Sequence, residues 1–174
     1  MTILALFVFH AVIGALEMIG VLPGELRIGK ISARILLTGV IIHVMICLKL
    51  TIGTLTAIKR SGTGYFKENK LFWIRRISGF AVIIFLAAHF TAFIGKTENG
   101  IYILNRFGII ELTMSVLLVL TLLLHLMTNI RPLMLGFGTI KKRGILTGAA
   151  LTAAILMLFM GAAFLIYFIR WLQW

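Results

Sequence analysis

Residues 112–130 read LTMSVLLVLTLLLHLMTNI, an uncharged run that lies between Glu111 and Arg131. A helix that crosses the hydrocarbon core of a bilayer needs roughly 20 predominantly apolar residues. This run therefore predicts a membrane-spanning helix. One ionisable side chain, that of His125, lies inside it.

Similar apolar runs divide the rest of the chain. The five predicted spans cover residues 2–22, 35–58, 72–95, 103–130 and 145–170. Turn-forming and basic residues fill the connections, among them Pro23-Gly24, Ser61 to Gly64, Pro132 and Lys141 to Arg143. The sequence predicts one all-α domain over residues 1–174, an integral membrane bundle of five transmembrane helices.

Composition identifies the lipid bilayer as the first partner. Hydrophobic residues make up 61% of the chain and charged residues 13%, whereas soluble domains are about half apolar and about a quarter charged. The net charge is +12, but the basic residues fall in short gaps between apolar runs, which argues against nucleic-acid binding. The single cysteine, Cys47, cannot by itself assemble an iron–sulfur or zinc site, so any such cluster belongs to a partner subunit.

The basic residues also predict the orientation of the chain. Short cytoplasmic loops carry the excess of Lys and Arg, and most of these residues flank the connections between spans two and three and between spans four and five. We therefore expect a multi-pass protein of the plasma or inner membrane with a cytoplasmic N-terminus and an external C-terminus. The first span contains Glu17 and lacks a basic leading region, so we expect it to be a helix of the bundle and not a signal peptide.

Each of the first four predicted spans carries one histidine, namely His10, His43, His89 and His125. Ionisable residues within the hydrocarbon are uncommon and usually functional, although a single histidine is equally explained by a hydrogen bond to a neighbouring helix. A rise of about 1.5 Å per residue predicts His10 and His125 at one depth, nearer the cytoplasm. The same calculation predicts His43 and His89 at a second depth, nearer the outside.

Two neutral imidazoles at one depth are what six-coordinate haem b requires. Two such pairs predict two stacked haems, with all four histidines as axial ligands of the haem iron and a chain that carries electrons across the membrane. A zinc or copper site would instead bring the histidines to one depth beside carboxylates or thiolates. The two depths favour haem.

Two carboxylates lie within the predicted spans, each on the helical face of its own histidine but nearer the outer surface. Glu17 and Glu111 are therefore candidates for accepting a proton as a quinol is oxidised. An ion pair with Lys49 or Arg106 explains them equally well. Lys49 lies mid-span, where we expect it to pair with a carboxylate, bind a haem propionate or reach a polar pocket.

Three arginines flank the cytoplasmic ends of the spans that carry His89 and His125. Arg75, Arg76 and Arg131 are placed to bind haem propionates or an acidic docking partner. Anchoring of the helices by positive charge on the cytoplasmic side also explains them.

Two short motifs carry a resemblance to a known family. The segment that opens Trp73-Ile-Arg-Arg-Ile-Ser78-Gly-Phe and runs on to His89 resembles the haem-bearing helix of the cytochrome b membrane anchors of succinate dehydrogenase and fumarate reductase. The segment His125-Leu-Met-Thr-Asn-Ile-Arg131-Pro is similar to a haem-ligating helix end in the same family. The resemblance implies haem ligation by His89 and His125, and it implies that Arg76 and Ser78 lie near the cytoplasmic haem or quinone site.

The di-haem members of that family have five helices and pass electrons between menaquinone and a cytoplasmic pair of iron–sulfur and flavin subunits. The resemblance thus implies a flavin-free electron-transfer subunit of the succinate:quinone oxidoreductase type, with two haems b and a quinone as cofactors. The order of histidines in the family pairs His10 with His89 and His43 with His125, whereas depth pairs His10 with His125 and His43 with His89.

Two other functions stay open from the sequence. One is a cytochrome b anchor for a different oxidoreductase, such as a hydrogenase, a formate dehydrogenase or a heterodisulfide reductase. The other is a small membrane transporter or assembly factor without haem, whose histidines pack helices or relay protons.

Overall fold

A computed structural model shows, in the residues that it describes, five α-helices, one short hairpin and non-helical connections. It describes residues 2–23, 27–61, 70–98, 101–103, 105–136, 138 and 144–172. The helices in these ranges are α1 (Thr2–Met18), α2 (Arg27–Ser61), α3 (Lys70–Phe93), α4 (Ile109–Gly136) and α5 (Ile145–Leu172). Between α3 and α4, the antiparallel strands β1 (Lys96–Glu98) and β2 (Ile101–Ile103) pair, a hairpin that the apolar pattern did not predict.

Four of the described helices, α2 to α5, are long and apolar enough to cross a membrane. The chain is therefore a multi-pass helical membrane protein, as the sequence predicts. Helix α1 has 17 residues and a length of about 25 Å, which is shorter than a hydrocarbon core of about 30 Å. The fifth span thus stays a prediction.

Helix α1 ends four residues before its predicted boundary because a glycine terminates it. Gly20 adopts a positive φ of 82°, a backbone conformation that a residue with a Cβ rarely adopts. The N–H of Gly20 donates to the carbonyl of Glu17 at 3.1 Å, and that of Val21 donates to the carbonyl of Leu16 at 3.0 Å. This pair of bonds is a Schellman motif, which satisfies the last carbonyls of the helix.

Side chains also set the boundaries between α3 and α4. The amide of Asn105 donates to the carbonyls of Thr91 and Ile94 at 3.2 and 2.6 Å, which caps the carboxyl end of α3. The N–H of Gly108, the N-cap residue, donates to Oε2 of Glu111 at 2.8 Å. This is one of the two hydrogen bonds of a capping box, and the other needs an N-cap side chain, which glycine lacks. Helix α4 therefore begins at residue 109 and not at 103 as predicted.

Helix α4 also continues past its predicted end. Pro132 predicts a break after residue 130, yet the helix includes this proline and extends to Gly136. A proline inside a helix removes one backbone hydrogen bond, so the carbonyl four residues earlier needs another donor. The structure supplies one from α3, as described below.

The chain divides into two compact units, residues 1–70 and 71–174. In the first unit, α1 packs antiparallel against α2, and Ala11 and Ala15 are buried. A Cβ on Gly39 would lie 3.3 Å from the side chain of Ile3, and one on Gly29 would lie 3.2 Å from Oε1 of Glu17. Small residues thus allow the two helices to approach closely.

In the second unit, α4 packs against α5 around a core that is aromatic at one end. The buried apolar residues are Phe107, Leu112, Leu118, Val119, Met157, Met160, Ala163 and Phe164. The rings of Phe107 and Phe164 are parallel, with centroids 6.4 Å apart, and Tyr167 meets Phe107 edge-on at 5.0 Å. Large apolar side chains elsewhere, such as Met45 and Leu158, are exposed, which suits a surface in contact with hydrocarbon.

Candidate functional site

Each of the four histidines lies inside a helix. His10 is in α1, His43 in α2, His89 in α3 and His125 in α4. His125 has a polar and a small residue of α3 directly against its imidazole ring, and it is therefore the centre of the candidate site.

The hydroxyl of Ser78 joins the His125 ring to the backbone of α3. Ser78 is buried, and its Oγ lies 3.1 Å from Nδ1 of His125 and 3.1 Å from the carbonyl oxygen of Arg75. A hydroxyl has one proton, and a carbonyl can only accept, so Ser78 donates to Arg75 and accepts from Nδ1–H of His125. This arrangement places a proton on Nδ1 of His125, so in the neutral form of the ring the lone pair is on Nε2.

That tautomer is the one that ligates a metal or a haem iron through Nε2. Metal-binding histidines usually donate their other ring N–H to a nearby oxygen, which fixes both the tautomer and the orientation of the ring. The predicted site residues Ser78 and His125, 47 positions apart in the chain, are thus in direct contact.

Gly79 contributes the space that the ring of His125 needs. A Cβ at this position would lie 3.1 Å from Cε1 and 3.5 Å from Nδ1 of His125. Gly79 belongs to the motif around Ser78 but is not among the predicted site residues. A glycine beside Ser78, on a helix that carries a histidine, was the sequence signal that could have identified it as a site residue.

His89 lies among aromatic side chains. Its ring centroid is 4.9 Å from that of Phe93 and 5.9 Å from that of Phe164, which meets it edge-on. His89 follows Ser78 by eleven residues, so it lies roughly 16 Å further along α3 than the level at which His125 meets that helix. One iron cannot bind both histidines, because two nitrogens bound to the same atom must lie close together, and these two rings are at different levels.

The first unit separates its histidines in the same way. Gly39 of α2 faces Ile3 of α1, so these two residues share one level. His43 lies about 6 Å from this level along α2, and His10 lies about 10 Å from it along α1 in the opposite direction. The two histidines therefore differ by roughly 16 Å in level. His43 is exposed, and its Nε2 lies 3.6 Å from Sγ of Cys47, one turn further along α2. The pairings of His10 with His125 and of His43 with His89 stay predictions.

The two candidate proton acceptors have different surroundings. Glu111 lies in the first turn of α4, where its Oε2 accepts the backbone N–H of Gly108 and thereby caps the helix. Glu17 lies near the carboxyl end of α1, with its carboxylate against Gly29 of α2. Glu111 is fourteen residues from His125, which is about 21 Å along α4.

The predicted cationic residues are also spread along the helices. The guanidinium of Arg76 lies over the ring of Phe72, 4.9 Å from its centroid. The side chains of Arg131, near the carboxyl end of α4, and of Lys49, in α2, are exposed. Nε of Arg75, which was predicted together with Arg76 and Arg131 to bind propionates or an acidic partner, donates a hydrogen bond to the backbone of α4.

Among the residues that the structure describes, no group of three or more His, Cys, Asp and Glu side chains is placed to bind a metal ion. Comparison of the chain with protein-family models, with curated proteins and with solved structures found no match. The resemblance to the succinate dehydrogenase anchors therefore rests on the two motifs alone and stays a prediction.

Proposed function

We propose that this chain is a di-haem cytochrome b membrane anchor. In this proposal it has five transmembrane helices and passes electrons between menaquinone and a cytoplasmic iron–sulfur and flavoprotein pair, as in succinate dehydrogenase or fumarate reductase. The observation that carries the proposal is the contact of Ser78 with His125 inside a membrane helix, because metal-binding histidines usually hydrogen-bond through their other ring nitrogen to an oxygen in this way.

The residues of the chain have separate roles in this proposal. His125 would bind the haem iron, Ser78 holds the proton on Nδ1, and Gly79 leaves room for the ring. Haem b would supply one-electron redox chemistry. His10, His43 and His89 would be the other three histidine ligands. The positive side chains of Arg76, Arg131 and Lys49 would attract the negative haem propionates or an acidic partner.

The carboxylates take part at the quinol end of the path. Glu17 or Glu111 accepts a proton when menaquinol is oxidised, because a carboxylate is a group that can act as a general base. The excess of Lys and Arg in the predicted cytoplasmic connections favours docking of an acidic partner on that side, with the N-terminus cytoplasmic and the C-terminus outside.

The proposal is tested by counting haem in the purified complex. We expect a pyridine haemochrome assay and a reduced-minus-oxidised spectrum to give two haems b per chain, beside a co-purifying flavoprotein and an iron–sulfur protein. His125→Ala should remove one haem. Leu124→Ala, which truncates the exposed neighbour of His125, should leave both haems in place.

Three outcomes contradict parts of this proposal. A preparation without Soret absorption overturns haem binding altogether, and one haem per chain overturns the assignment of four axial histidines. Two haems beside a hydrogenase or formate dehydrogenase subunit would retain the cytochrome and replace the partner.

One observation favours a second function, a small transporter or assembly factor without haem. The ring of His89 has two aromatic neighbours, Phe93 and Phe164, an environment typical of a histidine that packs helices together. In that case His89→Phe should preserve the thermal stability of the purified protein. Under the haem proposal, the same substitution removes one haem.

A further inference from the structure

The carbonyl of Thr128 in α4 lacks its usual helical donor. In an α-helix this oxygen accepts the N–H of the residue four positions later, which here is Pro132, and proline has no N–H. An unpaired backbone carbonyl in an apolar environment is costly. Nε of Arg75, in α3, donates to this oxygen at 2.8 Å.

The polar side chains next to Thr128 make other hydrogen bonds. The hydroxyl of Thr128 itself donates to the carbonyls of Leu124 and His125 at 2.9 and 3.1 Å. The amide of Asn129 donates to the carbonyl of His125 at 2.7 Å. The donor that Pro132 fails to supply is therefore replaced from the other helix, by a charged group that forms a stronger bond than a neutral one.

The bond from Arg75 lies one helical turn from the contact between Ser78 and His125. Arg75 precedes Ser78 by three residues, and Thr128 follows His125 by three, so both contacts fit one antiparallel alignment of α3 with α4. We propose that Arg75 is a positioning residue, which uses the carbonyl freed by Pro132 to set the register in which His125 meets Ser78 and Gly79.

This inference assigns Arg75 a different role from anchoring at the membrane surface or binding of a propionate. It also explains why α4 continues as a helix through Pro132. The contacts of Arg75 and His125 lie within the protein, so a preparation without haem would overturn the proposed function and leave the role of Arg75 to be tested separately.

The first test is a double-mutant cycle on thermal unfolding in detergent. Arg75→Ala leaves the carbonyl of Thr128 without a donor and should shift the unfolding equilibrium by roughly tenfold, with a lower Tm. Pro132→Ala restores the backbone N–H, so adding Arg75→Ala to it should cause little further loss. Equal losses from Arg75→Ala in the two backgrounds would show that the carbonyl is not its partner.

The second test measures the register through the Nδ1 proton of His125. The protein is labelled with ¹⁵N-histidine and kept reduced, and the signal is assigned by its loss in His125→Gln. Ser78→Ala gives the chemical shift of an Nδ1–H that has lost its acceptor. We expect Arg75→Ala to give the same shift as Ser78→Ala, and Arg75→Lys, which retains a charged donor, to restore most of the wild-type signal.

The double variant separates a positioning role from a purely stabilising one. In Arg75→Ala with Pro132→Ala, the carbonyl is satisfied within its own helix, so the Tm should recover while the His125 signal stays shifted. If Arg75→Ala alone does not fold, the double variant still allows the His125 signal to be measured without Arg75. Lys70→Ala, which removes an exposed positive charge from the start of α3, should change neither measurement. A wild-type His125 signal in the variants without Arg75 would overturn the positioning role.

Discussion

Cε1 of His125 lies 3.1 Å from the position that a Cβ on Gly79 would occupy. The hydroxyl of Ser78, the preceding residue, holds Nδ1 of the same ring at 3.1 Å. Two consecutive residues of α3 therefore act on one imidazole, the first by a hydrogen bond and the second by leaving space. A side chain at Gly79 would press on the ring, and loss of the Ser78 hydroxyl would remove the hydrogen-bond partner of Nδ1.

This contact predicts the effect of Gly79→Ala. Alanine normally stabilises a helix relative to glycine by roughly 0.5–1 kcal/mol, but here its methyl group would press on the His125 ring. We expect a lower Tm in detergent and loss of one haem from the purified complex, the first measured by thermal unfolding and the second by the haemochrome assay.

Gly161→Ala in α5 is the matched control, because a Cβ there would meet nothing within 4 Å. It should raise the Tm or leave it unchanged and should retain both haems. If Gly79→Ala behaved as Gly161→Ala does, the close contact with His125 would have no energetic consequence.

The sequence predicted the helices well because their signal is local. A run such as residues 112–130 is predominantly apolar and contains no Asp, Glu, Lys or Arg, and a helix is the structure that satisfies its own backbone hydrogen bonds in hydrocarbon. The placement of each histidine within a helix followed from the same runs. Helix α1, with 17 residues, lies near the limit of that rule, which is why the fifth span was not established in the same way.

The helix boundaries were less predictable, since several depend on residues distant in sequence. Pro132 predicted a break, yet α4 continues to Gly136, and the carbonyl of Thr128, which Pro132 leaves without its helical donor, accepts a hydrogen bond from Arg75, 53 positions away. Asn105, in the connection that follows β2, caps the end of α3. These contacts depend on tertiary structure, which a local pattern does not contain.

The candidate site was predictable in its residue types and not in its contacts. The motif around Ser78 and the position of His125 were both visible in the sequence, but their hydrogen bond requires that α3 and α4 adopt one particular register. The contact of Glu111, in contrast, is local and could have been predicted. Glu111 lies three residues after Gly108, which is the spacing of a capping box, whereas the sequence analysis considered only proton transfer or an ion pair for it.

Glu111 can cap α4 and still accept a proton, and two substitutions distinguish these roles. Glu111→Gln keeps an oxygen that can accept the N–H of Gly108, so the Tm should change little. Glu111→Ala removes the cap and should cost about 0.3–1.5 kcal/mol of stability. If the carboxylate accepts a proton from quinol, both variants should slow menaquinol oxidation, measured as the rate of haem reduction.

A normal rate of haem reduction in Glu111→Gln would remove Glu111 from the proton path and leave it as a capping residue. Thr113→Ala is a suitable control, since Thr113 lies in the same turn and its exposed hydroxyl donates to the carbonyl of Ile109. It should change neither the Tm nor the rate by a measurable amount.

Ser115 predicts a substitution that stabilises the protein. The residue is 1% exposed within the core of α4 and α5, and in the part of the chain that the structure describes its Oγ has no hydrogen-bond partner. Burial of an unpaired hydroxyl costs on the order of 1–3 kcal/mol, and alanine removes the hydroxyl with little change in volume. We therefore expect Ser115→Ala to raise the Tm in detergent. Ser32→Ala, which removes a buried hydroxyl that donates to the carbonyl of Gly29 at 2.8 Å, should not raise it. A fall in the Tm of Ser115→Ala would mean that the hydroxyl has a partner in the folded protein, such as an ordered water molecule or another chain of the complex.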